Sequence, residues 1–212
     1  MLALIQARCS SKRFKNKILF PINNLPLIIH VNIRIKKSKF IKKIVIATSK
    51  NKTDDKLIKI LKKFKLKYYR GDLKNVAKRL CKAAELNKAK YFLRINGDSP
   101  LINYQIIDRA IHIFKKKRST NYDLITNVFP RSFPKGQSVE IIKTSTLKKN
   151  MVFFSKLDKE HVTTYFYKNP KKFKIMNFKI KSKKREIDQT IDTKKDLTNI
   201  LKNFNNKLKK IL

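Results

Sequence analysis

Arg8, Ser10, Ser11, Lys12, Arg13 and Lys17 crowd cations and hydroxyls into one short segment directly after the apolar run Leu2-Ala3-Leu4-Ile5. Small hydroxyl residues let backbone N–H groups approach an anion, while Arg and Lys neutralise its charge. The preceding run has the length of a buried parallel strand. Ligands of open α/β sheets bind outside the carboxyl ends of such strands. The segment from Ala7 to Lys17 therefore reads as a cradle for a triphosphate.

A second pointed segment is Asn96-Gly97-Asp98-Ser99-Pro100, which follows the apolar run Tyr91-Phe92-Leu93-Arg94-Ile95. A carboxylate just beyond a buried strand can hold Mg²⁺ against substrate phosphates. The alternative for Asp98 is a cap on the following turn. Asp192, followed by Thr193 and Asp196, could complete such a site, or could be the N-cap of the last helix. Of the three histidines, His30 is expected in helix packing and His112 on an exposed helix face. His161, within Glu160-His161-Val162-Thr163, is the candidate for substrate contact. No zinc spacing, Ser-His-Asp pattern or GxxxxGK[ST] loop is present.

Strands and helices alternate where these residues need them. Strands are expected at Lys43–Ser49, Leu66–Arg70, Tyr91–Ile95, Tyr122–Val128, Val139–Ile142 and Lys172–Ile180. Helices are expected to start at Pro26 and at Asp54-Asp55, and to span Val76–Leu86, Ile106–Phe114 and Glu160–Tyr167. Asp192-Thr193 would cap a last helix carrying Leu197, Ile200 and Leu201. This rhythm implies right-handed crossovers and a mainly parallel sheet. The three glycines, Gly71, Gly97 and Gly136, fall beside the candidate site segments. So sparing a use of glycine suggests positions that need positive φ or close backbone approach.

Composition narrows the class. With 212 residues, 42% of them hydrophobic, the chain can bury one sizeable α/β core. We read it as one domain, with residues 1–128 as the half that carries the anion cradle and 129–212 as a substrate-side segment and C-terminal helix. Lysine and arginine number 54 against 14 acidic residues, a net charge of +40. A polybasic nucleic-acid-binding module is one reading of that charge. The lysines, however, run from end to end without a concentrated block, and no reading motif or aromatic interleaving accompanies them. A composition-wide bias with solvated faces accounts for them instead, so no specific nucleic acid is expected. Cys9 and Cys81 form no disulfide framework or metal spacing. No apolar stretch approaches a membrane span, so a cytoplasmic protein without membrane insertion is expected.

Taken in order, several segments resemble the CMP-sugar synthetase family, the acylneuraminate and KDO cytidylyltransferases, and most of all its SpsF-like branch linked to surface polysaccharide synthesis. They are Ile5-Gln6-Ala7-Arg8-Cys9-Ser10-Ser11-Lys12-Arg13, Ile46-Ala47-Thr48-Ser49, Arg70-Gly71-Asp72, Arg94-Ile95-Asn96-Gly97-Asp98-Ser99-Pro100, Asn127-Val128-Phe129-Pro130-Arg131, Glu160-His161-Val162-Thr163 and Ile191-Asp192-Thr193. The resemblance implies a three-layer α/β/α Rossmann-like nucleotidyltransferase fold and transfer of CMP from CTP to a sugar, with Mg²⁺ as cofactor. It implies nucleotide contacts from Ala7, Arg8, Ser10, Ser11, Lys12, Arg13, Lys17, Asn96 and Gly97. Arg8, Arg13, Lys17 and Asp98 would carry the catalysis, and Asp98 with Asp192 the metal. Arg131, Glu140 and His161 would face the sugar, and a homodimer would form through the Pro130 to Tyr167 region. An SpsF-like glycosyltransferase is the alternative within the same fold. Several positions depart from the family pattern. The usual Pro and Gly of the basic turn are absent from Arg13-Phe14-Lys15-Asn16-Lys17, and Ser138 stands where an acidic residue is expected.

Overall fold

Leu2–Gln6 (β1) is apolar at every position but the last, as a strand covered on both faces must be. The computed structural model describes residues 1–116, 121–180 and 187–209, the side chains of 204–209 excepted. A small ribbon of Pro21–Ile22 (β2) and Leu25–Pro26 (β3) leads into helix α1 (Leu27–Lys36). Then come β4 (Lys43–Ser49), α2 (Asp55–Lys63), β5 (Tyr68–Gly71), α3 (Val76–Leu86) and β6 (Tyr91–Asn96). They are followed by α4 (Tyr104–Lys116), β7 (Leu124–Thr126), β8 (Glu140–Lys143) and α5 (Thr144–Asn150). Short helices α6 (Lys156–His161) and α7 (Thr164–Lys168), strand β9 (Ile175–Asn177) and helix α8 (Lys194–Lys209) complete the order.

The main sheet runs β5-β4-β1-β6-β8-β7-β9. Strand β8 is antiparallel to both neighbours, and the other pairings are parallel. Side chains of β1 alternate between two cores. Ala3 and Ile5 join the cluster that contains Leu57 and Leu61 of α2, Ile107 and Ile111 of α4, and Leu197 and Ile200 of α8. Leu2 and Leu4 join the cluster with Leu80 and Ala84 of α3, Leu147 of α5 and Phe166 of α7. The result is the expected helix–sheet–helix sandwich. Each fully buried Leu or Ile contributes about 1.5–3 kcal/mol to it. No helix among the described residues is long and apolar enough to cross a membrane.

Three of the elements that differ from expectation do so for a visible reason. Instead of one helix over 160–167, the chain breaks at Val162, whose φ is 54° and whose side chain is fully buried. The capping box of Ser155 and Asp158 starts α6 early, and burial of Val162 fixes the corner. Strand β7 stops at Thr126 because Asn127 takes over the pairing with its side chain. Its amide donates to the Gln137 carbonyl and accepts from Val139 N–H. Strand β9 is short because a 3₁₀ turn at Pro170–Lys172 precedes it.

Candidate active site

At the carboxyl end of β1 the chain opens into the basic turn. Cys9 anchors it: its N–H donates to Asp54 Oδ1 at 2.6 Å, and its carbonyl receives the Asn16 N–H at 2.9 Å. Ser10 and Ser11 lie half-buried in the turn, with Lys12 and Arg13 exposed. Beside it β6 ends, and the Gly97 N–H donates to the Gln6 carbonyl at 2.9 Å. A Cβ at Gly97 would lie 2.9 Å from that same carbonyl oxygen. Only a residue without a side chain lets β6 leave so close to β1, and Asp98 follows at once.

The distant C-terminal segment is drawn in by its backbone. The Ile191 N–H donates to the Asp98 carbonyl at 3.0 Å, which sets Asp192 beside Asp98. The cap of α8 is Thr193, not Asp192. Thr193 Oγ1 accepts from Asp196 N–H, and Asp196 Oδ2 accepts from the N–H groups of Asp192 and Thr193. Burial opposes ionisation of Asp196, but these hydrogen bonds and nearby Lys17 outweigh it and hold its carboxyl below the ordinary value. With the cap supplied by others, the Asp192 carboxylate is free to point into the site.

Lys17 gathers the two carboxylates. Its Nζ lies 2.8 Å from Asp98 Oδ2 and 2.7 Å from Asp192 Oδ1, with its side chain only 9% exposed. Arg13 Nη2 reaches Asp192 Oδ2 at 3.0 Å. Arg8 turns the other way. Its Nη2 pairs with Glu160 Oε1 at 2.5 Å and its Nη1 lies 3.5 Å from the Leu73 carbonyl. Arg8, Arg13 and Lys17 thus each have a carboxylate partner on a later segment of the chain. Such charge-assisted pairs can be exchanged for the oxygens of a bound phosphate.

Asp98 and Asp192 supply hard oxygen donors of the kind magnesium takes, usually from one or two carboxylates together with phosphates and water. Their shared contact with one ammonium shows that both can face a single cation. Among the described residues no group of three or more His, Cys, Asp or Glu could hold a metal ion. The pair therefore fits a metal brought in with phosphate ligands better than an all-protein cage. Asn96 adds a second open valence, because its Oδ1 is buried with no hydrogen-bond partner among the described residues. A buried acceptor left unpaired costs stability unless a ligand satisfies it.

The residues expected on the sugar side divide. Glu140 is buried, 3% exposed. It pairs with Arg94 on the adjacent strand, and Thr163 Oγ1 and Tyr167 OH donate to its Oε1 at 2.8 and 2.6 Å. Arg94 Nε in turn donates to Gln6 Oε1 at 2.9 Å. Arg131 is exposed, with Nη1 and Nη2 each 3.2 Å from Ser138 Oγ, and forms no ion pair among the described residues. His161 is exposed at the end of α6, and its neighbour Glu160 is the residue that reaches Arg8.

Three residues of the site escaped the sequence reading. The periodicity places Glu160 in a helix and Asp54 at a helix start, and no pattern singles out Gln137. Gln137 Nε2 donates to the Leu101 carbonyl and to Gln189 Oε1, while its Oε1 accepts from Asn103 N–H, so it ties three loops together. Cys9, though central to the turn, is no nucleophile. Burial, then the charge and hydrogen bond of Asp54, push its thiol up to about 12.

A family model described as cytidylyltransferase matches residues 2–211. The spore coat polysaccharide biosynthesis protein SpsF of Bacillus subtilis is 29% identical over 215 residues, spanning 94% of this chain and 84% of that protein. A 3-deoxy-manno-octulosonate cytidylyltransferase of Geobacter sulfurreducens is 31% identical over 111 residues, 51% of this chain and 43% of that one. Among solved structures, a cytidylyltransferase from Leptospira borgpetersenii superposes with a TM-score of 0.88 at 28% identity. That match covers 99% of this chain and 92% of its counterpart.

Proposed function

The chain belongs to the cytidylyltransferase family, and on that premise we propose that it transfers CMP from CTP to an acidic sugar, dependent on magnesium, with release of pyrophosphate. The observation that carries this reading is the meeting of Asp98 and Asp192 on Lys17 at the carboxyl ends of β1 and β6. A hydroxyl of the sugar attacks the α-phosphorus, the bond to the bridging oxygen of the β-phosphate breaks so that pyrophosphate leaves, and the hydroxyl proton passes to water. Such chemistry rests on positioning and charge neutralisation more than on a side-chain nucleophile.

Each residue then has a task. The turn from Ala7 through Ser10, Ser11 and Lys12 cradles the triphosphate with its backbone and hydroxyls. Arg8, Arg13 and Lys17 exchange their carboxylate partners for phosphate oxygens and stabilise charge on the departing pyrophosphate. Asp98 and Asp192 would hold the magnesium ion, which supplies charge neutralisation at the phosphates. Asn96 offers its unpaired Oδ1 to a donor on the base, beside Gly97. Arg131 has a hydroxyl, not a carboxylate, beneath its guanidinium, which suits it to the carboxylate of an acidic sugar. His161 borders the same side. Glu140 acts from beneath by holding Arg94 and Thr163. The protein would work in the cytoplasm, with a homodimer as its form.

Thermal-shift measurements with CTP, UTP, ATP and GTP plus Mg²⁺ test the nucleotide, and pyrophosphate release across a panel of acidic and neutral sugars tests the reaction. CTP is expected to stabilise most, and Asp98→Ala to abolish release. A ranking led by another nucleotide, or CTP turnover with a sugar but no pyrophosphate, would overturn the proposal. Transfer of the sugar from a sugar nucleotide, with no pyrophosphate, would instead mark the glycosyltransferase alternative, in which the bond broken lies between the sugar and the phosphate.

A further inference from the structure

Asp54 has no part in the chemistry just described, yet it is fully buried and makes more hydrogen bonds than a helix-initiating acid needs. Oδ1 accepts from the Cys9 N–H at 2.6 Å. Oδ2 accepts from Thr48 Oγ1 and Ser49 N–H, each at 3.0 Å, and from Ser49 Oγ. It forms no ion pair among the described residues. Burying a carboxylate is costly unless donors replace its water, and here four do.

Those donors come from places that matter. Thr48 and Ser49 end β4, Asp54 itself precedes α2, and Cys9 sits within the anion-binding turn between Arg8 and Ser10. The peptide plane is rigid, so fixing the inward direction of the Cys9 N–H also fixes the outward direction of the Arg8 carbonyl. The Asn16 N–H holds the carbonyl of Cys9, so the loop over residues 10–15 hangs from one doubly pinned residue. We propose that Asp54 is a positioning residue that sets the anion-binding turn in its receptive shape before the nucleotide arrives. It lowers the ordering cost of binding without touching the ligand. The proposal rests on the nucleotide reading of that turn.

The test compares Asp54→Asn with wild type and with Asp123→Asn. The control removes the charge of another hydrogen-bonded carboxylate, at the amino end of β7, which accepts from Thr146 Oγ1 at 2.6 Å and from the Lys174 N–H at 3.0 Å. CTP affinity is measured by calorimetry at a temperature where thermal denaturation shows every variant folded. Amide hydrogen exchange is followed over residues 7–16. Asp54→Asn puts an NH₂ where a donor must be met. It is expected to weaken CTP binding about 10- to 100-fold and to speed exchange in that segment. Asp123→Asn is expected to change affinity less than about twofold, although it too costs stability. Ser49→Ala keeps the carboxylate and removes one donor. It is expected to produce a smaller loss in the same direction, and carries the test if Asp54→Asn does not fold. Wild-type affinity and exchange in a folded Asp54→Asn variant, or in Ser49→Ala alone where Asp54→Asn does not fold, would overturn the proposal. So would equal loss of affinity in Asp123→Asn. If wild type binds no nucleoside triphosphate, the functional reading falls and hydrogen exchange alone decides the role of Asp54.

Discussion

The Lys17 ammonium lies 2.8 Å from the Asp98 carboxylate, and on its other side 2.7 Å from Asp192. One nearly buried cation therefore separates two acids that would otherwise repel. Removing it in Lys17→Met leaves both acids facing each other and deprives the triphosphate of a partner. Hydrogen bonds to charged groups are worth about 1.5–3 kcal/mol each, so kcat/KM for pyrophosphate release should fall at least about 10- to 100-fold. Lys17→Arg should recover little, because the larger planar guanidinium does not fit the nearly buried space where a single ammonium lies 2.8 and 2.7 Å from the two acids. Full activity in Lys17→Met would remove Lys17 from the mechanism.

Gly97 lies where β6 leaves the sheet against β1. A Cβ would come 2.9 Å from the Gln6 carbonyl oxygen and 3.0 Å from Ala7 Cβ, so backbone must move. Gly97→Ala is expected to cost about 1–3 kcal/mol in urea denaturation. It should also lower activity, because the displaced exit carries Asp98. Loss of stability at unchanged kcat would show that the exit recovers its course.

Arg131 stands over Ser138 without a counter-carboxylate among the described residues. Arg131→Leu is expected to raise KM for an acidic sugar about tenfold or more, while KM for CTP stays within about twofold. Equal change in both constants would place Arg131 in general folding instead of sugar recognition.

Some of this was legible in the sequence for identifiable reasons. Strand β4 and helix α3 keep the bounds that the apolar pattern implied, because a turn or a capping Asn75 punctuates each. The basic turn and Asp98 stand out because both follow apolar runs directly. For Glu140 the sequence does not show what the side chain meets. Its partner Arg94 lies directly opposite on β6, a matter of register between distant segments. Asp54 misled because an acid before a helix looks the same whether it faces solvent or clamps a neighbouring turn. Asp192 was ambiguous for a similar reason, until Thr193 and Asp196 proved to supply the cap.

Acid should loosen the protein through two such caps. For Asp158, burial opposes ionisation, yet the Ser155 hydroxyl, Lys168 and the Ser155 N–H outweigh it, so its carboxyl titrates below the ordinary 3.8. Asp196 is lowered likewise. A carboxyl lowered in the folded state stabilises above its unfolded value and loses that contribution as pH falls through the folded value. The Tm gap between wild type and Asp196→Asn should therefore be full at pH 6 and close below about pH 4. A gap that persists unchanged at pH 3 would assign the cap's value to shape, not charge.

Beneath the site, Glu140 and Tyr167 offer a graded comparison. Tyr167→Phe removes one donor to Glu140 and leaves the Arg94 pair and Thr163 in place. It is expected to cost about 1–3 kcal/mol, the range for a buried hydrogen bond whose partner stays behind. Glu140→Gln leaves the Arg94 guanidinium buried without its counter-charge, and should cost about 3–5 kcal/mol. Since Thr163 sits at the corner after Glu160, the second change should also loosen the Glu160–Arg8 pair and raise the KM for CTP. Urea denaturation of both variants and steady-state kinetics check the order. Equal destabilisation by the two would mean that Arg94 finds another acceptor, the nearest being Gln6, whose Oε1 already lies 2.9 Å from its Nε.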